Sequence, residues 1–126
     1  MTKKTEKYSP NGSNGAEPVR IWKARTFIEA HSAEELSLGK VARVAQTSTN
    51  YFSEKFREAT GMNFVTYVAR TRFEKAATLL READLRVSEI AFAVGFQSLS
   101  QFNRIFKKFA GKSPTEYRNG ALHGSH

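Results

Sequence analysis

The feature that most constrains this chain is a short pattern that it contains twice. Val41-Ala42 recurs as Ile90-Ala91, forty-nine residues later. Beyond that pair the offset becomes fifty, and Ser48, Phe52, Phe56, Gly61 and Tyr67 match Ser98, Phe102, Phe106, Gly111 and Tyr117. The one-residue change of offset falls in the turn, where an insertion disturbs packing least. A repeat of this kind is one supersecondary unit written twice. Each copy reads as a short helix, a tight turn, a longer helix capped by serine, and a glycine stop. The small Ala42 and Ala91 allow two helices to cross closely, which is the helix-turn-helix pattern. Plain helical hairpins in a bundle are the alternative for a single copy, and two copies argue against it. Gly95 stands where the chain must leave the short helix, a place that favours positive φ. In the first copy Gln46 holds that slot, at a penalty of roughly 1 kcal/mol if its backbone is left-handed.

The apolar residues between the ends follow the helical period almost everywhere, so the chain reads as all-α with about seven helices. The first spans about Val19–His31 and turns Ile21, Trp22, Phe27 and Ile28 inward. A short helix over about Leu38–Ala45 takes Ser37 as N-cap, and a third over about Thr49–Thr60 stops at Gly61. The longest begins after Asn63, reaches about Ala83, and uses Phe64, Tyr67, Val68, Phe73, Ala76, Ala77, Leu79 and Leu80 for its apolar face. A short helix over about Val87–Val94 stops at Gly95, and one capped by Ser98 carries Phe102, Ile105, Phe106 and Phe109. Ser113-Pro114-Thr115-Glu116 is a capping box with proline at the first helical position, so a last helix starts there. The organisation is a tail or linker over residues 1–18, a first helix-turn-helix subdomain over 19–62, a linker helix over 63–83, a second subdomain over 84–118, and a disordered tail over 119–126. At 1.5 Å per residue the linker helix is roughly 30 Å long, close to the ~34 Å turn of B-DNA. Such a rod suits two reading helices in successive major grooves and an asymmetric site bound by a monomer.

The 126 residues carry a formal charge of +8, which draws polyanions. There is no cysteine, so disulfides and thiolate metal sites are excluded. No apolar run approaches a membrane span, and the basic N-terminus has no apolar segment after it, so the chain reads as cytoplasmic. His31 is the one histidine outside the C-terminal tail, and no phosphate-cradling glycine loop occurs. Glu34-Glu35 near a helix start read as dipole partners rather than a catalytic pair. No catalytic residue, cofactor or metal is assigned. Stacking on single-stranded nucleic acid by Phe52, Phe56, Phe102, Phe106 or Trp22 is disfavoured, because helical spacing and repeat symmetry place these rings in the core. Tyr51 is the exception, a ring expected to be partly exposed.

Three stretches, Ile90-Ala91-Phe92-Ala93-Val94-Gly95-Phe96-Gln97-Ser98, Gln101-Phe102-Asn103-Arg104-Ile105-Phe106-Lys107-Lys108 and Gly111-Lys112-Ser113-Pro114-Thr115-Glu116-Tyr117-Arg118, resemble the C-terminal signature of the AraC/XylS family. Tyr67, Arg70, Arg72, Phe73, Glu74, Lys75, Ala76 and Leu79-Leu80 resemble its linker helix. The resemblance covers about residues 20 to 118. It implies seven helices, two subdomains joined by the long helix, both reading helices in adjacent grooves, and a bacterial transcription activator that also touches RNA polymerase. Most members carry an effector or dimerisation domain ahead of this module, and the linker-like composition of the first residues favours a piece of a longer regulator over a stand-alone protein. Three positions depart from the pattern: Gln46 where a small turn residue is usual, Thr47 where an apolar one is common, and Glu54 where arginine is common.

On the second reading helix Leu99, Ser100, Gln101, Asn103, Arg104, Lys107 and Lys108 fall outside the core stripe, and of these Ser100, Gln101, Asn103 and Arg104, near its N-terminal half, are the candidates for base edges. Arginine suits guanine O6/N7, and the amides suit adenine N6/N7. Lys107, Lys108 and Ser98 are placed for phosphates, which position without specifying. On the first reading helix Asn50, Ser53 and Glu54 are the base candidates, with Thr49 and Arg57 for phosphates. Glu54 either accepts from a cytosine N4 amine or pairs with Arg57 at i, i+3. Lys55 and Arg57 cancel Glu54 and Glu58, whereas the second helix has Arg104, Lys107 and Lys108 without an acid. The second unit therefore reads as the electrostatic anchor and the first as the discriminator. The partner implied is double-stranded DNA, with a protein-interaction module that reads no bases as the alternative.

Overall fold

A computed structural model describes residues 18–122, and among them there are seven helices and no strand. They are α1 (Val19–His31), α2 (Leu38–Val44), α3 (Thr49–Thr60), α4 (Phe64–Glu82), α5 (Val87–Ala93), α6 (Leu99–Ala110) and α7 (Pro114–Leu122). The all-α expectation holds. The tails expected over residues 1–17 and 123–126 lie outside the described residues. Asn119 to Leu122, which the sequence reading gave to a tail, continue α7. Gly120 disfavours a helix by only about 1 kcal/mol and carries no obligation to stop one.

The described residues pack as two compact units, 18–31 with 36–67, and 32–35 with 68–122. The long helix is thus shared: Phe64 to Tyr67 belong to the first unit and the rest to the second. Its nineteen residues give a length of roughly 28 Å. Asn63 opens it by accepting from Thr66 N at 2.9 Å through Oδ1.

In the first unit Ile21, Ala24 and Ile28 are the buried stripe of α1. Val41, Ala42, Ala45, Phe52, Phe56, Ala59, Phe64 and Tyr67 are buried in the same unit. Trp22 was expected inside and instead is 41 % exposed. The spacing i, i+3, i+7 from Ile21 defines one face, and Trp22 lies about 100° off it, so Ala24 takes the inward place. Phe27, also expected inside, is half-buried and stacks on His31 with ring centroids 4.3 Å apart. In the second unit Ala76, Ala77, Leu80, Ile90, Ala91, Val94, Phe96, Phe102 and Phe106 form the buried cluster. Phe73 packs edge-on against Phe106 at 4.8 Å and leans on Phe109 at 5.2 Å. Truncating a fully buried ring such as Phe52, Phe56, Phe102 or Phe106 to alanine removes about 3–5 kcal/mol.

The short connection Ser32–Glu35 packs within the second unit. Arg72 Nε donates to Ser32 O at 2.7 Å and its Nη2 to Glu34 O at 2.9 Å, while Lys75 Nζ donates to Ser32 Oγ at 2.7 Å. Ser32 is fully buried, so the two bonds to it satisfy polar atoms that water cannot reach. Burial lowers the pKa of the Arg72 guanidinium below its ordinary value. At the far end of α4, Arg118 Nε donates to Leu80 O and its Nη2 to Ala83 O, both at 3.1 Å. One guanidinium thereby closes two carbonyls at a helix end that has none of its own partners to offer them.

Candidate nucleic-acid interface

The sequence repeat is a structural repeat, and the match extends to individual bonds. Ser48 and Ser98 cap α3 and α6 alike, accepting from Tyr51 N at 3.2 Å and Gln101 N at 3.0 Å. Gly61 and Gly111 end the two helices at φ 78° and 81°. Phe56 meets Tyr67 edge-on at 5.0 Å, and Phe106 meets Tyr117 edge-on at 5.3 Å. Asn63 and Ser113 open the helices that follow, by the same side-chain bond to the backbone three residues on. In the second copy Glu116 returns the bond to Ser113 N at 2.9 Å, which completes the capping box and holds the Glu116 carboxyl below its ordinary pKa.

The turns also correspond, and they show where the copies differ. Thr47 N donates to Ala42 O and Phe96 N to Ala91 O, each at 3.0 Å. Gln46 has φ 62° and Gly95 has φ 110°. Gln46 thus adopts the left-handed backbone that the repeat assigned to it, without glycine's freedom. A Cβ on Gly95 would stand 2.6 Å from Ser32 O, so here glycine is required by space as well as by φ. Phe96 is buried against Phe102, whereas Thr47 in the same slot is half-buried and turns its hydroxyl to Ala42 O at 3.5 Å. The extra residue of the second turn is Gln97. Its N–H has no counterpart in the first copy and donates to Gln101 Oε1 at 3.2 Å.

The two reading helices present their candidates to solvent. On α6, Ser98, Ser100, Asn103, Arg104, Lys107 and Lys108 are exposed and Gln101 is half-buried. Gln101 Oε1 is engaged by the Gln97 backbone, which leaves its amide N–H₂ to donate. The two-sided adenine contact expected for it uses that same oxygen, whose second lone pair remains to accept, so the Gln97 bond orients the amide without removing either half of the contact. On α3, Thr49, Asn50, Glu54 and Arg57 are exposed and Ser53 is half-buried. The ion pair on this helix joins Lys55 to Glu58 at 3.4 Å rather than Arg57 to Glu54. Lys55 also lies 5.8 Å from the centroid of the Tyr51 ring, which is 41 % exposed as expected. The offset of fifty pairs Asn50 with Ser100, Ser53 with Asn103, Glu54 with Arg104, and Arg57 with Lys107. The central pair has opposite charge.

A family model described as a helix-turn-helix domain matches residues 41–120. The C-terminal domain of AraT, a response regulator from Geobacillus stearothermophilus, superposes with a TM-score of 0.78 at 34 % identity, over 82 % of this chain and 86 % of that one. This chain belongs to the AraC/XylS family. The AraC-type fold is also that of the DNA-binding domain of AdpA, a global transcriptional factor solved with a target DNA (TM-score 0.78, 27 % identity, 80 % of this chain and 91 % of that one). Among curated relatives, the HTH-type transcriptional regulator YijO of Escherichia coli is 39 % identical over 94 residues, which is 75 % of this chain and 33 % of YijO. The chain therefore spans about a third of the length of that relative.

Membership makes this an AraC-type DNA-binding domain of a transcriptional regulator, not a member of an enzyme class. Among the described residues no helix is long and apolar enough to cross a membrane, and no group of three or more His, Cys, Asp or Glu is placed to hold a metal. The bonds of Arg72, Lys75 and Arg118 leave no mark in the sequence pattern. Each reaches backbone or a hydroxyl more than thirty residues away, and no periodicity records that. The signal that was available is their type, since a long basic side chain is what can span to buried carbonyls.

Proposed function

We propose that this module binds an asymmetric site on double-stranded DNA as a monomer, with α3 and α6 in adjacent major grooves, and that it activates transcription through contact with RNA polymerase in the bacterial cytoplasm. The observation that carries the reading is the bond-for-bond repetition of one helix-turn-helix unit, each copy with an exposed polar face on its longer helix. The AdpA domain with its target DNA supports it as a neighbour of the same fold. Ser100, Gln101, Asn103 and Arg104 meet base edges from α6, and Asn50, Ser53 and Glu54 meet them from α3. Ser98, Lys107, Lys108, Thr49 and Arg57 hold phosphates.

Charge divides the labour. The α6 sequence has Arg104, Lys107 and Lys108 and no acid, while on α3 the pairing of Lys55 with Glu58 leaves Arg57 beside Glu54. The second unit anchors and the first discriminates. Selection of bound duplexes from a random pool, followed by affinity measurements on variants, tests this. The expected motif is asymmetric and covers about two helical turns. Arg104→Ala should weaken binding at least tenfold, and Glu54→Ala should relax base preference while leaving affinity for a random duplex nearly unchanged. Lys107→Ala should lower the slope of log K against log salt by about one. Parent-like binding by Arg104→Ala together with loss of binding by Glu54→Ala would reverse the assignment of the two units. The absence of any enriched motif at moderate salt would favour a module that binds protein instead.

A further inference from the structure

The outward face of α6 centres on Ser100, Arg104 and Lys107. Leu99 and Asn103 lie one turn apart along one flank of it. Leu99 is 38 % exposed and stands outside the buried cluster of the second unit. It occupies the first helical position directly after the Ser98 cap, and the cap uses Ser98 Oγ and the Gln101 N–H, not the leucine. A lone exposed leucine is ordinary on a protein surface. Two observations set this one apart. The other exposed residues along α6, namely Ser100, Asn103, Arg104, Lys107 and Lys108, are all polar or basic. The offset of fifty pairs Leu99 with Thr49, also exposed, also first in its helix, and also bearing a methyl group.

Residues in the first turn of a recognition helix are the ones that reach base edges. In the major groove one base offers an apolar group, the C5-methyl of thymine. We propose that Leu99 reads the C5-methyl of a thymine in the half-site held by the second unit, with Asn103 on the adenine of the same or the neighbouring A·T pair. This rests on the DNA reading above and assigns a specificity determinant within it. The second unit then selects as well as anchors. Thr49, assigned above to a phosphate, serves as the comparison from α3.

The test starts from the duplex that the full chain selects from a random pool. Each thymine is replaced singly by deoxyuridine, which removes the C5-methyl and nothing else. Affinity is measured for the parent, Leu99→Ala and Thr49→Ala. At one thymine the parent should lose about three- to tenfold on the deoxyuridine duplex. Leu99→Ala should lose a similar factor on the thymine duplex and nothing further on the deoxyuridine duplex, a non-additive cycle. Thr49→Ala should be additive with deoxyuridine at the thymine that Leu99 reads. Additive effects of Leu99→Ala and deoxyuridine at every position, or a parent indifferent to every replacement, would overturn the assignment. Failure to select any duplex would instead remove the DNA reading beneath it, and the two failures are told apart at the selection step. Leu99 is exposed, so an unchanged thermal transition in Leu99→Ala confirms that the loss is one of contact.

Discussion

Replacing Gly95 with alanine places a Cβ 2.6 Å from Ser32 O, 2.8 Å from Arg72 Nε and 3.0 Å from Ala33 Cα, on a backbone at φ 110°. Two of these neighbours are main-chain atoms and cannot swing aside as a flexible side-chain tip would. Holding an alanine in that region of φ costs about 1–3 kcal/mol. Clearing the clash moves the connection or the guanidinium and breaks the Arg72–Ser32 bond, a charged hydrogen bond of about 1.5–3 kcal/mol. The smaller entropy of the unfolded alanine chain returns about 0.4–1 kcal/mol. The net is a loss of roughly 2–5 kcal/mol from the second unit. Gln46 occupies the matching slot at φ 62° with an exposed side chain, so Gln46→Gly is the mirror experiment. It relieves about 1–2 kcal/mol of left-handed strain and gives back about 0.4–1 in chain entropy, a stabilisation of a few tenths to about 1 kcal/mol. Urea titration followed by circular dichroism, with the midpoint and slope fitted separately, reads both. Opposite signs are expected for the two substitutions. Gly95→Ala within 0.5 kcal/mol of the parent (roughly the size of an ordinary surface change), or a loss above about 1 kcal/mol for Gln46→Gly, would refute the reasoning that φ and close approach decide these turns.

Two further expectations concern the bonds that only folding brings together. Burial pushes the Tyr67 phenol up to about 12, against the opposing pull of Arg25, so ionising it works against the fold. The stability this provides is complete below the unfolded value near pH 10 and is lost as pH rises through about 12; absorbance of the tyrosinate band should show a component near pH 12 that Tyr67→Phe removes. Arg118→Met keeps the length of the side chain but strips both bonds to Leu80 O and Ala83 O. It should lower stability by about 1–3 kcal/mol, with faster hydrogen exchange at the C-terminal end of α4 as the local signature.

How much of this was open to a reader of the sequence follows from the range of each interaction. Caps, stops and the capping box act over three or four residues, and Ser37, Ser48, Ser98, Gly61, Gly111 and Ser113-Glu116 stand where the pattern placed them. The phenylalanine stripes follow because helical spacing alone decides that Phe52 with Phe56, and Phe102 with Phe106, share a face. Self-similarity aligns Gln46 with Gly95, and the structure finds both left-handed. The place of Trp22 was not legible because the apolar residues of the 13-residue α1 are spread around the helix and single out no stripe; the packing of Ile21, Ala24 and Ile28 decided it.

The sequence by itself determined the repeat, the all-α class, the family and the two polar faces here proposed to meet a duplex. Only the tertiary structure decided that Ser32–Glu35 docks under Arg72 and Lys75, that Arg118 closes α4, and that Gln101 Oε1 accepts from Gln97 N–H. The physical reason is one of distance along the chain. A helix face is written in residues three or four apart, whereas a guanidinium bound to a carbonyl some forty residues away leaves no period to read. Gln101 lies between these cases: its bond is local, but it exists because a one-residue insertion freed the Gln97 N–H, and the repeat register recorded that insertion without saying what would satisfy it.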